Sequence, residues 1–326
     1  MENRYFPVIK FFLAEEALAR EIEAAYGLSS VRCQLIAAFM RDVYLVTANE
    51  QRCILFIYRY NQRTIDEIKS EWQFVAYLKA NGVSVAPAIV TKSGEYVLTF
   101  PAPEGTRYGV LTTFAAGKHL RQRSSVEAVR TYGRLIGQIH TLADEAPFAL
   151  IRPVNEVALI VNQAVAAFAA AVPERPEDLA YLRECAGLLL PKFNGLPQRA
   201  PYYGLIHGDV IRANAQVADD GTVTVLDFDL CGPGWRAYDI ASYLAVIRGL
   251  PDEVELADAF INGYEQVRPI TSVERETLPA FEAVRVIFSI GVPALNVSHW
   301  GSAYLHTFLD QSLEQLREQM KRIGQL

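Results

Sequence analysis

HGDVIRANAQVADDGTVTVLDFD, residues 207–229, is the stretch on which the reading of this chain turns. His207, Asp209 and Asn214 interrupt an apolar frame of Val210, Ile211, Ala213 and Val217. A polar group buried without a partner costs on the order of a few kcal/mol, so three of them are poor core filler. The second half reads as a hairpin, with the turn Asp219-Asp220-Gly221 leading into the alternating strand TVTVLDF. That hairpin brings Asn214, just before it, near Asp227 at its end. Two oxygen ligands then stand at adjacent strand ends. A hard cation such as magnesium takes carboxylate and amide oxygen and often completes its shell with phosphate. Asp209 stands on the loop ahead of the hairpin, where it could accept a proton from a hydroxyl and orient that hydroxyl toward phosphorus.

The composition bounds the rest. The 326 residues are 51% hydrophobic, enough for two lobes that each bury a core. The formal charge of -6 argues against a nucleic-acid partner, because phosphate backbones need clustered Lys and Arg. Cys33, Cys53, Cys185 and Cys231 show no zinc-ligand spacing. Scattered single cysteines suit a reducing compartment, and the expected location is cytoplasmic. The N-terminal MENRYFPVIKFFLAEEALAREIEAAYGL meets Glu15 and Glu16 early and lacks a small-residue cleavage site, so no signal peptide is read. No uninterrupted apolar segment approaches the roughly 18 residues of a membrane span, and no membrane partner is expected.

Periodicity divides the chain. Residues 13–26 repeat apolar positions at helical spacing and end at Gly27, a plausible C-cap. VYLVTA and CILFIYRY flank the turn NEQR as a hairpin, and EYVLTF and YGVLTTF make a second pair. The helix TIDEIKSEWQFVAYLKANG lies between them, its face made by Ile65, Ile68, Trp72, Phe74, Val75 and Leu78. Helices dominate from residue 118, at 125–143, 155–172, 175–190 and from 237 onward. The terminal DQSLEQLREQMKRIGQL reads as an exposed amphipathic helix. AAGKHL, residues 115–120, is the natural boundary, which predicts an N-terminal lobe 1–115 and a C-terminal lobe 116–326.

An Asp, an Asn five residues on, and a metal-holding Asp after a strand follow the order of the kinase catalytic template. On His207-Gly208-Asp209, Asn214 and Asp227-Phe228-Asp229, the sequence resembles the aminoglycoside phosphotransferase and choline kinase family, similar in fold to protein kinases. GPGWRAYDIASYL, with Asp239 opening a helix, and GRLIGQIHTL, with His140, extend the resemblance over about residues 28 to 300. It implies an α+β, bilobal, protein-kinase-like fold, with an antiparallel sheet in the N-terminal lobe and a larger, mainly helical C-terminal lobe. It implies a phosphotransferase that uses ATP and Mg2+ on a hydroxyl of a small molecule. Asp209 would be the catalytic base, and Asn214 and Asp227 the metal ligands. Asp229 would support the metal or face the substrate, and His207 would orient the loop. In TTFAA, backbone groups of Thr113 and Ala115 would meet the adenine edge. Glu71 occupies the place of the helix glutamate that pairs with a strand lysine.

The chain departs from that pattern at the phosphate-clamping end. Phe56, in LFIYR, stands where relatives carry the lysine. Arg59 does not substitute by alternation, because Phe56 and Tyr58 share one strand face and Arg59 the other. AAFMRDVYLV, the covering loop, has no glycine, and Arg41 is the cation placed to reach the phosphates from it. These departures keep an alternative open: a catalytically impaired, nucleotide-binding relative with a regulatory role. A metal-dependent phosphohydrolase is a weaker rival, since the chain has only 5 His and no second His-rich cluster. Asp239 reads as an N-cap or buried loop anchor, and His140 as a satisfied core residue. His299 and Trp300, in NVSHWGSAY, line an acceptor pocket or pack. Acidic residues around Asp229 tilt the expected acceptor toward an amino alcohol, amino acid or aminoglycoside.

Overall fold

The computed structural model describes residues 11–123 and 125–324. The first ten residues, on which part of the signal-peptide reading rests, lie outside them. The chain forms two compact units. The first holds residues up to Trp72, Pro87–Phe114 and Ser298–Trp300. The second holds Gln73–Ala86, Ala115–Val297 and Gly301–Leu326.

The first unit begins with α1 (Glu15–Tyr26), closed by Gly27 at a positive φ of 71°. A five-stranded antiparallel sheet follows, from β1 (Arg32–Ala38), β2 (Asp42–Ala48), β3 (Gln51–Ile57), β4 (Leu98–Ala102) and β5 (Gly105–Thr113), in the order β1-β2-β3-β5-β4. Strand β2 alternates strictly between buried and half-buried residues, as a sheet with one covered face requires. Ala48 pairs with Gln51, so the hairpin turn is Asn49-Glu50 alone, with φ of 47° and 69°. Two consecutive positive φ values match the right-handed twist of the strands, and Gln51 and Arg52, expected in the turn, belong to the strand. Leu18 and Ile22 of α1 join Tyr44, Val46, Leu55, Ile57, Phe100 and Leu111 in one core.

Helix α2 (Ile65–Ala80) contributes residues through Trp72 to the first unit and residues from Gln73 to the second. The second unit continues with β6 (Lys118–His119), α3 (Val126–Glu145), α4 (Val157–Ala171) and α5 (Pro176–Leu189). Then come β7 (Tyr203–Ile206), β8 (Ala215–Val217), β9 (Val223–Val225), β10 (Gly232–Trp235) and α6 (Arg236–Ile247). Helices α7 (Glu253–Glu265), α8 (Ser272–Leu295), the single turn α9 (Val297–Trp300) and α10 (Ser302–Arg322) complete the chain.

Two small antiparallel sheets carry the opening stretch: β10 pairs with β7, and β6, β8 and β9 form the other. The expected hairpin is β8–β9, with Ala215 opposite Val225. Helix α6 is almost wholly buried. Helix α8 is long and apolar enough to cross a membrane by length and composition, but it is largely buried and packs on α4, α6 and α10. The C-terminal helix differs from expectation. Leu305, Leu309, Leu313, Leu316 and Met320 form a buried stripe, so one face of α10 is core and only the other is solvated.

Candidate active site

The loop from His207 to Asn214 connects β7 to β8, and backbone hydrogen bonds alone do not hold it. His207 is buried; its Nε2–H donates to the Leu226 carbonyl at 2.9 Å, and its Nδ1 accepts from the Asp209 backbone N–H at 3.3 Å. One imidazole thus ties the loop to the end of the β9 strand, and its ring packs on Phe228 at 4.6 Å. Gly208 has a φ of 80°, and a Cβ there would run into the Leu230 carbonyl oxygen, so only glycine fits.

Asp239 is the second anchor. It lies in the first turn of α6, behind an N-cap Trp235 that makes no side-chain cap, so its work is not capping. Its Oδ2 accepts the His207 backbone N–H at 2.7 Å and its Oδ1 that of Gly208 at 2.8 Å. His140 Nε2 lies 3.0 Å from the same carboxylate, and His140 Nδ1 lies 2.8 Å from Tyr264 Oη. Burial pushes His140 down to about 4, outweighing the upward pull of Asp239. Burial alone would raise Asp239, but His140, His207 and the backbone donors hold it below the usual carboxylate range. The pair is therefore a neutral imidazole donating to an ionised carboxylate, with the Tyr264 hydroxyl donating to Nδ1.

Asp209 then has a fixed position. Asn214 Nδ2 donates both to its backbone oxygen at 2.9 Å and to its Oδ2 at 2.7 Å. Its Oδ1 forms an ion pair at 2.8 Å with Nη1 of Arg285, a buried side chain of α8. Burial works against the Arg285 charge, but Asp209 and Tyr238 hold the guanidinium above its usual value. The Leu226 N–H donates to the Asn214 carbonyl at 2.8 Å, which sets Asp227 one residue beyond Asn214's partner. Asp227 is exposed and has a φ of 62°, a conformation that Asp tolerates better than most residues and that tends to mark functional positions.

The structure therefore gathers Asp209, Asn214 and Asp227 as the spacing predicts. Asp229 differs: it is only 4% exposed. Arg152 Nη2 donates to its backbone oxygen and lies 3.9 Å from its carboxylate, so that charge is balanced internally. Trp300 stands in a separate set of contacts. It belongs to the first unit, where its Nε1 donates to the Phe39 carbonyl at 3.3 Å and its ring meets Phe39 edge to face at 5.6 Å. Thr113 ends β5, with its N–H on the Pro87 carbonyl at 3.1 Å, and Ala115 opens the second unit.

Glu71 is fully buried within the first unit. Its Oε1 receives Arg41 Nη1 at 3.2 Å and its Oε2 receives the Tyr58 hydroxyl at 3.0 Å. The Arg41 guanidinium lies 4.3 Å from the centre of the Phe56 ring. Phe56 stacks on Trp72 at 6.1 Å, and Trp72 Nε1 donates to Tyr58 Oη at 3.0 Å. Sequence reasoning set Phe56 where the lysine partner of Glu71 would stand and expected Glu71 to be exposed or paired with an arginine instead; the structure shows it buried and identifies that arginine as Arg41. Sequence reasoning missed Arg285 and Arg152 altogether. The available signal was an arginine inside the apolar run AFEAVRVIF of α8, where a charge needs a partner.

A loop aspartate bonded to an asparagine, with a second aspartate one strand away, on a two-unit sheet-and-helix chain, defines a phosphotransferase of protein-kinase-like fold. The comparisons agree. The profile of the phosphotransferase enzyme family matches residues 33–276, and the chain belongs to that family. A homoserine kinase of Xanthobacter autotrophicus is 28% identical over 263 residues, covering 78% of each chain. The solved structure of a microcompartment-associated aminopropanol kinase aligns with a TM-score of 0.74 and 23% identity, covering 91% of this chain and 98% of that one. That of amicoumacin kinase hAmiN in complex with AMP-PNP, Ca2+ and Ami aligns with a TM-score of 0.74 and 20% identity, covering 93% and 94%.

Proposed function

We propose that the protein is a kinase that transfers the terminal phosphoryl group of ATP to a hydroxyl of a small molecule. The observation that carries this is the Asp209–Asn214 pair, with Asp227 held next to it through Leu226. The acceptor hydroxyl donates to the Asp209 carboxylate. Its oxygen bonds to the terminal phosphorus, the bond from that phosphorus to the bridging oxygen of ADP breaks, and the hydroxyl proton passes to Asp209. Catalysis is chiefly positioning and charge neutralisation.

Magnesium fits the donor set. The amide nitrogen of Asn214 is spent on Asp209, which leaves its amide oxygen as the ligand atom, and Asp227 offers an exposed carboxylate. Among the described residues no group of three His, Cys, Asp or Glu could hold a metal by itself. That short protein set is what a magnesium ion bound largely through nucleotide phosphates requires. The ion would neutralise charge on the transferring phosphoryl group. The relatives named for homoserine, aminopropanol and amicoumacin support a small acceptor of amino-alcohol, amino-acid or aminoglycoside-like kind. With Asp229 balanced by Arg152, its charge gives no separate tilt toward a cation. The four free cysteines suit a reducing, cytoplasmic setting. The impaired-relative alternative rests on Phe56 and the glycine-free loop, and the Arg41–Glu71 pair above the Phe56 ring speaks against the first of these grounds.

The test is coupled ADP release across a panel of hydroxyl metabolites, with the Asp209→Asn variant beside the wild type. Turnover on at least one acceptor is expected, with a loss of roughly 100-fold or more in the variant, the usual contribution of a positioned proton acceptor. Equal turnover in both proteins removes Asp209 from the mechanism.

A further inference from the structure

Phe56, in β3, and Tyr58, just past its end, share one face, and neither can carry charge to a phosphate. The cation on that face comes from elsewhere. Arg41 stands in the turn between β1 and β2, and its guanidinium lies 4.3 Å from the centre of the Phe56 ring and 5.3 Å from that of Tyr58. It is 5% exposed and pairs with a Glu71 that is fully buried. The Tyr58 hydroxyl completes the arrangement: it accepts from Trp72 Nε1 at 3.0 Å and from Arg41 Nη1 at 3.2 Å, and donates to Glu71 Oε2 at 3.0 Å. Phe56, Tyr58, Glu71 and Trp72 thus fix one guanidinium over an aromatic floor. A pair taken out of water at this cost is a weak device for stability. It is a good device for presenting a charge with its orientation set in advance.

We propose that Arg41 is the phosphate-binding cation of the nucleotide site, standing in for a lysine that strand β3 does not have. This rests on the phosphotransferase reading above. Phe56 then has a role of its own, since its ring is the surface on which the guanidinium lies. Glu71 positions Arg41 and does not touch the nucleotide. The choice of arginine has a chemical consequence. A lysine offers a point charge on a flexible stem, whereas the planar guanidinium presents a fork of N–H donors that matches two phosphate oxygens at once. The site should therefore favour nucleotides with at least two phosphates over those with one or none.

Titration calorimetry with Mg·ATP, ADP and adenosine separates this from a structural role, using the wild type, Arg41→Ala, Arg41→Lys and the double variant Arg41→Ala/Phe56→Lys. Arg41→Ala should lose roughly 10- to 100-fold in affinity for ATP and ADP, the range for hydrogen bonds to a charged group, and keep its affinity for adenosine. Arg41→Lys should fall between. The double variant, with a lysine rising beside Glu71, should recover most of the loss. The idea fails if Arg41→Ala binds ATP as the wild type does, or if adenosine and ATP weaken together. It also fails if the double variant binds adenosine normally without regaining ATP. Should Arg41→Ala lose its thermal transition because Glu71 is left buried and unpaired, Arg41→Lys and the double variant still decide the matter. If the wild type itself binds no nucleotide, the phosphotransferase reading falls first, and this inference with it.

Discussion

Asp209 has one oxygen on an amide and the other on a guanidinium, and the two partners do different things. Asn214 fixes the rotamer from the loop itself, while Arg285 reaches it from α8, far along the chain. An arginine beside a proton acceptor stabilises the carboxylate and aims it. Arg285 is accordingly a positioning residue. Arg285→Ala should lower kcat by about 10- to 100-fold, a substantial part of what a positioned acid–base group contributes. The KM for ATP should change little, and Arg285→Lys should restore part of the rate. A rise in the KM for ATP with kcat intact would contradict the assignment. Asp209, Asn214 and Asp227 were legible in the sequence because a loop and a hairpin connect them, so their spacing encodes their proximity. Arg285 and Arg152 were not. An ion pair across 76 residues, from Asp209 to Arg285, leaves no periodic trace, and only the expense of a charge in an apolar run hints at it.

At the scale of elements, two glycines show how the same substitution changes sign with its surroundings. Gly208 is held at a φ of 80° against the Leu230 carbonyl. Gly208→Ala should destabilise by about 1 kcal/mol or more through the strained backbone and the displaced turn at Leu230. It should also cost activity, since Asp239 fixes the same peptide. Gly187, inside α5, is exposed and would place a Cβ in open space. Gly187→Ala should therefore stabilise by roughly 0.5–1 kcal/mol, the helix-propensity difference. Urea midpoints of the two variants check both signs, and a shift in the same direction would refute the argument. The elements were largely legible, since alternation and helical spacing gave β2, β3, β5, α2 and α3 to within a few residues. What failed has a physical reason. The Asn49-Glu50 turn needs two left-handed residues with no glycine to announce them. The leucines of α10 lie in a polar sequence, so their burial depends on α8, which no local pattern records.

The stability of the whole molecule depends on the same network that fixes the catalytic loop, and this gives it a pH dependence. In the folded protein His140 titrates at about 4, because burial disfavours its charge more than Asp239 favours it. In the unfolded chain a histidine titrates near 6.5. Above about 6.5 neither state binds the proton, and His140 contributes no slope. Between about 6.5 and 4 the unfolded chain takes up a proton that the folded chain refuses, so stability falls as the pH drops. At about 1.4 kcal/mol per pH unit the loss reaches about 3 kcal/mol at most. Asp239 acts in the same direction at lower pH. Its folded value is depressed, so its contribution is present above the usual carboxylate range and is lost as the pH falls through the folded value. Other groups titrate in this interval, Glu282 among them, raised chiefly by burial. The contribution of His140 is therefore read as a difference. Urea unfolding of the wild type and His140→Gln, from pH 7.5 to 4, should give a stability difference that is constant above about 6.5. Below that it should shift progressively against the wild type, by up to about 3 kcal/mol. A difference that instead shifts in favour of the wild type as the pH falls toward about 6.5, and is constant below that, would mean that His140 carries its proton in the folded protein. The Asp239 anchor would then be an imidazolium–carboxylate pair, and the loop bearing Asp209 would be held by charge where the neutral arrangement holds it by hydrogen bonds.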